Sequence, residues 1–132
     1  MQNAMLYHVR SLLGGAQSVP SNDATPFNGI NATLVDDTTA RTVQAAVTSK
    51  RKWITRIRVV NRTKGEDPII LIVDTDGNVL AVAQPGGLTN GRRVDEIVCQ
   101  PPIPVPSGKG IFAKATASVG DCSVQAWGFE EV

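Results

Sequence analysis

The residues that could carry out catalysis are few and lie far apart in the 132-residue chain. His8 is the only histidine, and it lies in an N-terminal segment where a general base would be poorly placed unless that segment docked. No serine or cysteine lies in a nucleophile-elbow sequence. Acidic pairs such as Asp36-Asp37 and Asp95-Glu96 would point to opposite faces of a strand, so they could not act together without other residues. The sequence therefore predicts no enzyme activity.

Two short motifs resemble ligand-binding loops but lack residues that those loops require. The sequence GKG at 108–110 suggests a phosphate-binding loop, yet Ile103 occupies the place of its earlier glycine and Gly110 that of its serine or threonine. The sequence DTDGN at 74–78 suggests the start of a calcium loop, yet Pro85 occupies the place of its final glutamate. Both are therefore interpreted as turns, since Asp-Gly favours a tight hairpin. We predict no bound metal and no cofactor.

The composition favours a single β-rich domain with a net charge near zero. Thirteen basic residues stand against 12 acidic ones, so the net charge gives no sign of a nucleic-acid or anionic-membrane partner. No apolar stretch is long enough for a spanning helix or a secretory signal. We therefore expect synthesis in a reducing cytoplasm, where Cys99 and Cys122 would be free thiols, although adjacent strands could also bring them together as a disulfide. Two cysteines and one histidine would make a poor zinc site.

The first 29 residues differ from the rest and are predicted to form an N-terminal arm. Its apolar residues fit helical spacing for a turn or two before Gly14-Gly15 ends the pattern, and they are Met5, Leu6, Val9, Leu12 and Leu13. The following residues, to Gly29, are rich in turn formers. We expect the arm either to cover one end of the domain or to reach a neighbouring subunit. Residues 30–132 are predicted to form the domain itself.

From Ile30 onward the sequence predicts short strands separated by Gly, Pro, Asn and Asp. The eight candidates are Ile30–Val35, Ala40–Val47, Trp53–Asn61, Ile69–Val73, Val79–Ala83, Arg93–Val98, Ile111–Ser118 and Cys122–Phe129. Eight strands without a long helix favour an antiparallel sandwich or barrel. The prolines of PPIPVPSGKG cannot donate hydrogen bonds to a central ladder, which predicts a sheet edge or an extended connection there.

The stretch TSKRKWITRIRVVNRT contains the densest positive charge of the chain. Seven of the 13 basic residues lie between Lys50 and Lys64, and no acidic residue falls between Asp37 and Glu66. Regular strand alternation predicts an apolar face of Trp53, Thr55, Ile57 and Val59 and an opposite, mixed face of Ile54, Arg56, Arg58 and Val60. A nucleic-acid surface would need exposed aromatic rings beside the cations, and few are available. The mixed face is instead interpreted as a docking surface for an acidic protein or as an ordinary solvated face.

The succession of segments resembles a known class of viral protein. The segments are TARTVQAAVTSKRKWITRIRVVNRT, IILIVDTDGNVLAVA, PPIPVPSGKGIFAKATASVG and DCSVQAWGFEEV, covering Thr39 to Val132. They resemble the capsid cement or decoration proteins of tailed bacteriophages, several of which are jelly rolls. The strand pattern predicts an all-β, eight-stranded antiparallel sandwich with an extended N-terminal arm, and the resemblance implies that the sandwich is jelly-roll-like. It also implies a structural protein of the virion that binds the outer capsid surface as a dimer or trimer and clamps neighbouring coat subunits.

The predicted contacts with the major capsid (coat) protein come from the arm and from the basic stretch. They are Leu6, Leu12 and Leu13 in the arm, the cations Arg51, Lys52, Arg56 and Arg58, and the neighbouring aliphatic residues Ile54 and Val60. No motif residue of the resembling proteins carries over individually, so these contacts are expectations from residue type alone.

Two other functions remain open from the sequence. A phage tail or fibre module that binds a host-surface glycan or receptor would expose an aromatic platform, whereas we expect at least one of Trp53 and Trp127 to be in the core. A nucleic-acid-binding barrel would bind through residues 50–64, with an affinity that falls steeply as salt rises.

Overall fold

A computed structural model of the chain describes residues 24–31, 35–63, 67–86, 93–118 and 121–132, and these residues contain strands and no helix. The eight strands are β1 Thr25–Asn31, β2 Arg41–Gln44, β3 Arg51–Asn61, β4 Ile70–Asp74, β5 Val79–Ala83, β6 Arg93–Val105, β7 Ile111–Ala115 and β8 Cys122–Glu131. They form two four-stranded antiparallel sheets. Sheet A has the order β1-β8-β3-β6, and sheet B has the order β2-β7-β4-β5.

The pairing of strands identifies the topology. The first half of the chain pairs with the second half in nested order, β1 with β8, β2 with β7, β3 with β6 and β4 with β5. This is the pairing of one long hairpin. Two further pairs, β3 with β8 and β4 with β7, arise when that hairpin rolls up into two facing sheets. The result is a jelly roll, which confirms the predicted fold class.

The hydrophobic core lies between the two sheets. Burial alternates along the strands, as in β7, where Ile111, Ala113 and Ala115 are buried and the residues between them are half-buried. This is the period of two that a sheet with one covered face requires. The largest apolar side chains that meet in the core cluster are Phe27, Ile54, Ile57, Ile70, Ile72 and Ile111.

All eight predicted strands are found; β1 and β6 differ most from their predicted bounds, and β2 and β7 each end three residues earlier than predicted. Strand β5 has the predicted bounds, whereas β6 continues to Val105 instead of ending at Val98. Because β6 lies at the edge of sheet A, it can contain prolines, which have no N–H group to donate. Strand β1 begins at Thr25, so residues 25–29, expected in the arm, pair with β8 in sheet A. Residues 1–23 lie outside the described part of the chain.

A β-bulge at Thr55 reverses the two faces of β3. Ile54 is opposite Gly128 and Arg56 is opposite Trp127, so Thr55 is an extra residue with respect to β8. The Thr55 hydroxyl donates a hydrogen bond to the Trp127 carbonyl oxygen, at 3.2 Å. An extra residue in one strand shifts the alternation of side chains beyond it. The predicted faces of β3 are therefore wrong on the N-terminal side of Thr55.

Asp74 organises the turn between β4 and β5. Its Oδ1 accepts hydrogen bonds from the backbone N–H groups of Asp76, at 2.9 Å, and Asn78, at 3.0 Å. Its Oδ2 accepts a third from the Asn78 side chain. Burial opposes ionisation, but these hydrogen bonds and the charge of Lys109 together lower the pKa of Asp74 below its usual 3.8. The predicted DTDGN hairpin is therefore confirmed, with the carboxylate as its central acceptor.

Asp74→Ala is expected to lower the free energy of unfolding by about 2 kcal/mol, because several hydrogen bonds to a charged acceptor are lost. Since the folded protein has the lower pKa, the stabilisation from ionised Asp74 is present above pH 3.8 and is lost as the pH falls through the folded pKa. Urea unfolding at pH 7 and pH 3 measures both effects. Asp74→Asn keeps one acceptor oxygen but cannot ionise, so the stability of this variant should depend less on pH than that of the unsubstituted protein. An equal pH dependence of the variant and the unsubstituted protein would contradict this role of Asp74.

Candidate docking surface

The outer face of sheet A carries a compact patch of charged and apolar side chains. We call it the sheet A patch, and it consists of Val94, Glu96 and Val98 on β6, Arg56 and Arg58 on β3, and Trp127 on β8. The register places Arg56 between Val98 and Trp127 and places Arg58 beside Glu96. On the C-terminal side of the Thr55 bulge, β3 alternates regularly, with Ile57, Val59 and Asn61 buried and the arginines exposed.

The two arginines are held by contacts across the sheet. One carboxylate oxygen of Glu96, Oε1, lies 2.9 Å from Arg56 Nη2 and 3.4 Å from Arg58 Nε. The Arg56 guanidinium also lies 4.5 Å from the centre of the Trp127 ring, as a cation–π pair. Because all three charged groups are more than two-fifths exposed, these ion pairs fix the side-chain positions more than they stabilise the fold.

Glu96 partly neutralises the positive charge that the sequence predicted. It lies 40 residues from Arg56 in the chain, so the local sequence of β3 could not show the pairing. Two arginines and one glutamate leave the sheet A patch with a net charge of +1. The positive net charge of the patch favours an acidic partner. Glu96, which lies between the arginines, repels acidic groups and so limits the choice of partner.

The sheet A patch also exposes apolar surface at the edge of the sheet. Val98 is 65% exposed and Val94 is 45% exposed, although both are large aliphatic residues on a strand. The two valines flank Glu96 on the edge strand, so apolar side chains stand beside charged ones, as on many surfaces that bind another protein. The patch therefore offers both apolar and charged side chains to a partner.

Several predicted contact residues lie elsewhere. Lys52 and Ile54 are fully buried, because the Thr55 bulge turns them into the space between the sheets, so their assignment to an exposed strip was wrong. Arg51 is exposed but belongs to the other side of the bulge, and Val60 is half-buried beside Val94. The remaining candidates, in a segment outside the described residues, are Leu6, Leu12 and Leu13.

Neither tryptophan forms an open aromatic platform. Trp127 is half-buried, and the Arg56 guanidinium lies over its ring. Trp53 is only 2% exposed, as expected for one of the two, but the bulge places it on the outer face of sheet A and outside the main core cluster. Stacking of a sugar ring would require Arg56 to leave Trp127, and this argues against a glycan-binding module.

The titratable groups of the described residues show no reaction centre. No group of three or more His, Cys, Asp or Glu side chains in that part of the chain could hold a metal ion. Cys99 and Cys122 are both buried and free, and they lie on strands separated by β3. Burial and the neighbouring charge of Asp121 raise the pKa of Cys122 to about 11, and burial also raises that of Cys99. The Cys122 thiol is therefore almost fully protonated at neutral pH, and a protonated thiol is a poor nucleophile.

A membrane-spanning helix is likewise not found within the described ranges.

Comparison with known proteins adds a likeness of fold. No protein-family model and no curated protein matches the sequence. The chain is similar to a chain in the acidic stable capsid structure of Helicobacter pylori bacteriophage KHP30, with 10% identity, a TM-score of 0.53, and 83% of this chain and 93% of that chain covered. It is also similar to a chain in the capsid asymmetric unit of cyanophage Pam1, with 9% identity, a TM-score of 0.51, and 85% and 89% covered. At such identities the likeness shows a shared jelly-roll fold.

Proposed function

We infer that this chain is a structural virion protein that binds the outer surface of an assembled phage capsid and cements neighbouring coat subunits. The observation that carries this proposal is a jelly roll shared with chains in two phage capsids. Each alignment covers most of both chains, so the matched chains are about as short as this one. A short jelly roll of this kind is suited to an accessory subunit that attaches to a shell built by another protein.

The sheet A patch is the proposed contact with the major coat protein. Its two arginines would face acidic groups of the coat protein, and Val94 and Val98 would be covered by apolar ones. A protein that binds only the assembled lattice stabilises that lattice by mass action. Many copies on a repeating surface add many weak contacts, so each patch needs only moderate affinity to hold an expanded shell together.

The segment before β1 and the oligomeric state complete this proposal. Leu6, Leu12 and Leu13 would contact a neighbouring coat subunit once the sandwich is docked. A dimer or trimer would bind across the symmetry axes of the shell, because each subunit then presents an identical patch.

Incubation with purified shells that lack the protein tests the proposal. We expect saturable decoration at symmetry-related positions in electron micrographs, and a higher temperature of shell disruption. The isolated coat subunit serves as the control, because a lattice-specific protein should bind it only weakly. Binding to isolated coat subunits without any binding to shells would overturn the proposal.

Reversal of the two arginine charges should weaken shell binding without unfolding the sandwich. Arg56→Glu with Arg58→Glu places like charges beside Glu96, and we expect about tenfold or greater loss of affinity in a sedimentation assay at physiological salt. The matched control is Lys109→Glu with Lys114→Glu, which changes the net charge equally away from the sheet A patch. Equal affinities of the two double variants would remove the patch from the proposal.

A further inference from the structure

Two strands of sheet B are apolar along their whole length. Residues 69–73, with the sequence IILIV, and residues 79–83, with the sequence VLAVA, contain no polar side chain. An antiparallel strand with one solvated face usually alternates apolar and polar residues, whereas a continuous apolar run is typical of a strand that is covered on both faces. Within the described residues, sheet A covers only the inner face of these strands. The pattern therefore indicates that something also covers the outer face.

The outward side chains of these strands form one apolar surface, which we call the sheet B face. Its members are the apolar residues of this sheet that point away from the core, and they are Ile69, Leu71, Val73, Val79, Val82 and Phe112. None of them belongs to the core cluster or packs against it. The register places Val73 between Val79 and Phe112, and it places Leu71 beside Val82. The six side chains are therefore neighbours across β5, β4 and β7.

The sheet B face is open to solvent on its β5 side. Val79 is 54% exposed, Val82 is 49% exposed, and Ile69, the residue before β4, is 37% exposed. An extra residue in β5, Leu80, turns Leu80 and Ala81 toward the core and leaves both valines outside. Exposed aliphatic residues grouped on an edge strand are typical of a surface that another protein covers.

The outer face of sheet A differs in both burial and charge. Its aromatic rings, Trp53 and Phe129, stack with centres 6.2 Å apart and are 2% and 6% exposed, so they are already covered within the chain. Its exposed valines lie beside Arg56, Arg58 and Glu96, which together carry a charge of +1. Two copies that met through sheet A would therefore oppose like charges.

The charge of the sheet B face favours a second copy of the chain as its occupant. In the described register its rows contain one charged side chain, Lys114, beside Leu71. Lys114 lies on β7, two strands from the exposed valines of β5, so it can remain in water at the margin of a contact. A single cation offers little to an acidic partner, whereas a nearly uncharged surface is complementary to itself. A twofold axis brings identical surfaces together in this way.

The area of the face determines how strong such a contact can be. Three strands and five residues of β4 give a surface about 14 Å wide and about 17 Å long, or roughly 240 Å². A stable interface of standard size buries about 800 Å² on each partner. The sheet B face is therefore the apolar centre of an interface whose rim is polar, and the complex should dissociate at about 1–100 μM.

We propose that two copies of this chain associate through their sheet B faces around a twofold axis. Val79 and Val82 of each copy would be covered by the apolar residues of the other, and both sheet A patches would stay exposed. The same surface would join the subunits of a capsid-bound dimer, whose two sheet A patches would add their contacts. The proposal itself concerns the protein in solution and does not rest on shell binding.

Sedimentation equilibrium of the full-length chain tests the proposal over about a hundredfold range of concentration. We expect the average mass to rise from that of one chain to that of two. Val79→Lys with Val82→Lys places like charges on both sides of the axis and should raise the dissociation constant about thirtyfold or more. The matched control is Val94→Lys with Val98→Lys, which adds the same charge at exposed valines of the other edge strand, β6, and should leave the dissociation constant unchanged.

A second, milder variant guards against loss of the fold. Val79→Thr with Val82→Thr keeps the β-branched shape and should raise the dissociation constant about fivefold, because each hydroxyl would be covered without a partner. Far-UV circular dichroism and urea unfolding establish which variants are folded. If the lysine variant does not fold, the threonine variant decides, and an unchanged dissociation constant would then overturn the proposal.

Three further outcomes would overturn the proposal. One is a chain that stays monomeric over the whole range. Another is a dimer that persists in the folded Val79 and Val82 variants, or that is lost in the Val94 and Val98 control, because the interface would then lie elsewhere. The third is a monomeric chain whose Val79 and Val82 variants bind shells less tightly, since the coat protein would then be the occupant. The mass measurements involve no shell, so the capsid proposal can fail separately.

Discussion

Lys52→Met is expected to lower the free energy of unfolding by about 3 kcal/mol or more, because it removes one partner of a buried ion pair. The Lys52 side chain is fully buried between the sheets, and its Nζ lies 3.3 Å from Oε2 of Glu130, which is 13% exposed. Neither atom has a hydrogen-bond partner among the described residues. Methionine has a similar length, so the main change is an uncompensated carboxylate at Glu130. Urea unfolding monitored by circular dichroism measures the loss.

A double variant separates the effect of losing the ion pair from the effect of changing the side-chain volume. Lys52→Met with Glu130→Gln removes both charges, and it should recover much of the lost stability because no buried charge remains unpaired. Lys114→Met is the matched control. Lys114 lies half-buried on sheet B, and its replacement should change the free energy of unfolding by less than about 0.5 kcal/mol.

Two outcomes would contradict this account of Lys52. A single variant as stable as the Lys114→Met control would mean that Glu130 reaches water when its partner is removed. A double variant that is less stable than Lys52→Met would mean that the Glu130 carboxylate makes a contact independently of Lys52, which the amide does not replace. In either case the pair would contribute little to the fold.

The positions of the strands could largely be predicted from the sequence, because they depend on local information. β-Branched residues mark β3 and β5, small or apolar residues alternate with polar ones at the start of β8, and the DTDGN turn joins β4 to β5 where Asp-Gly predicts a hairpin. The prolines after Gln100 predicted a sheet edge or an extended connection, and the segment is the end of edge strand β6. Strand β1 was predicted five residues late, since TPFNGIN contains little alternation and depends for its position on pairing with β8.

The order of the strands could not be predicted in this way. Thr25 pairs with Glu130 and Arg41 pairs with Ala113, and no local pattern links residues so far apart in the chain. The jelly-roll topology was expected only from the resemblance to phage proteins. For the same reason the sequence could not show that Glu96 pairs with the arginines, because the ion pair depends on the register of β3 and β6.

The candidate docking residues show how one local irregularity changes a prediction. Regular alternation placed Ile54 with Arg56 and Arg58, and all three would have shared an exposed face. The extra residue at Thr55 places Ile54 and Lys52 inside and Trp53 outside. The arginines beyond the bulge stay exposed, so that part of the predicted surface is retained in the proposal. A glycine within a strand can mark the close approach of another backbone, and Gly128 of β8, opposite Ile54, is such a glycine.

Gly128→Ala is expected to lower the free energy of unfolding by about 3 kcal/mol, at the upper end of the usual cost of overpacking. A Cβ atom at this position would overlap the Trp53 carbonyl oxygen and would lie 2.8 Å from Cζ of Phe27. The carbonyl belongs to the backbone of a central strand, so it cannot move without disturbing the pairing of β3 with both neighbours. Thermal and urea unfolding of the variant measure the cost, and the bulge at Thr55 should be the first region to lose hydrogen-exchange protection.

Gly77→Ala distinguishes this steric effect from the general cost of replacing glycine. Gly77 has a φ of +86° and open space where a Cβ would lie, so its replacement should cost only about 1 kcal/mol, from the left-handed backbone conformation. If Gly128→Ala were no more destabilising than Gly77→Ala, β3 would not approach β8 closely at Gly128. The bulge would then lose its steric basis, and with it the placement of Lys52 inside the sandwich and of Trp53 on its outer face. The two glycine variants therefore test the local geometry on which both the ion pair and the buried aromatic rings depend.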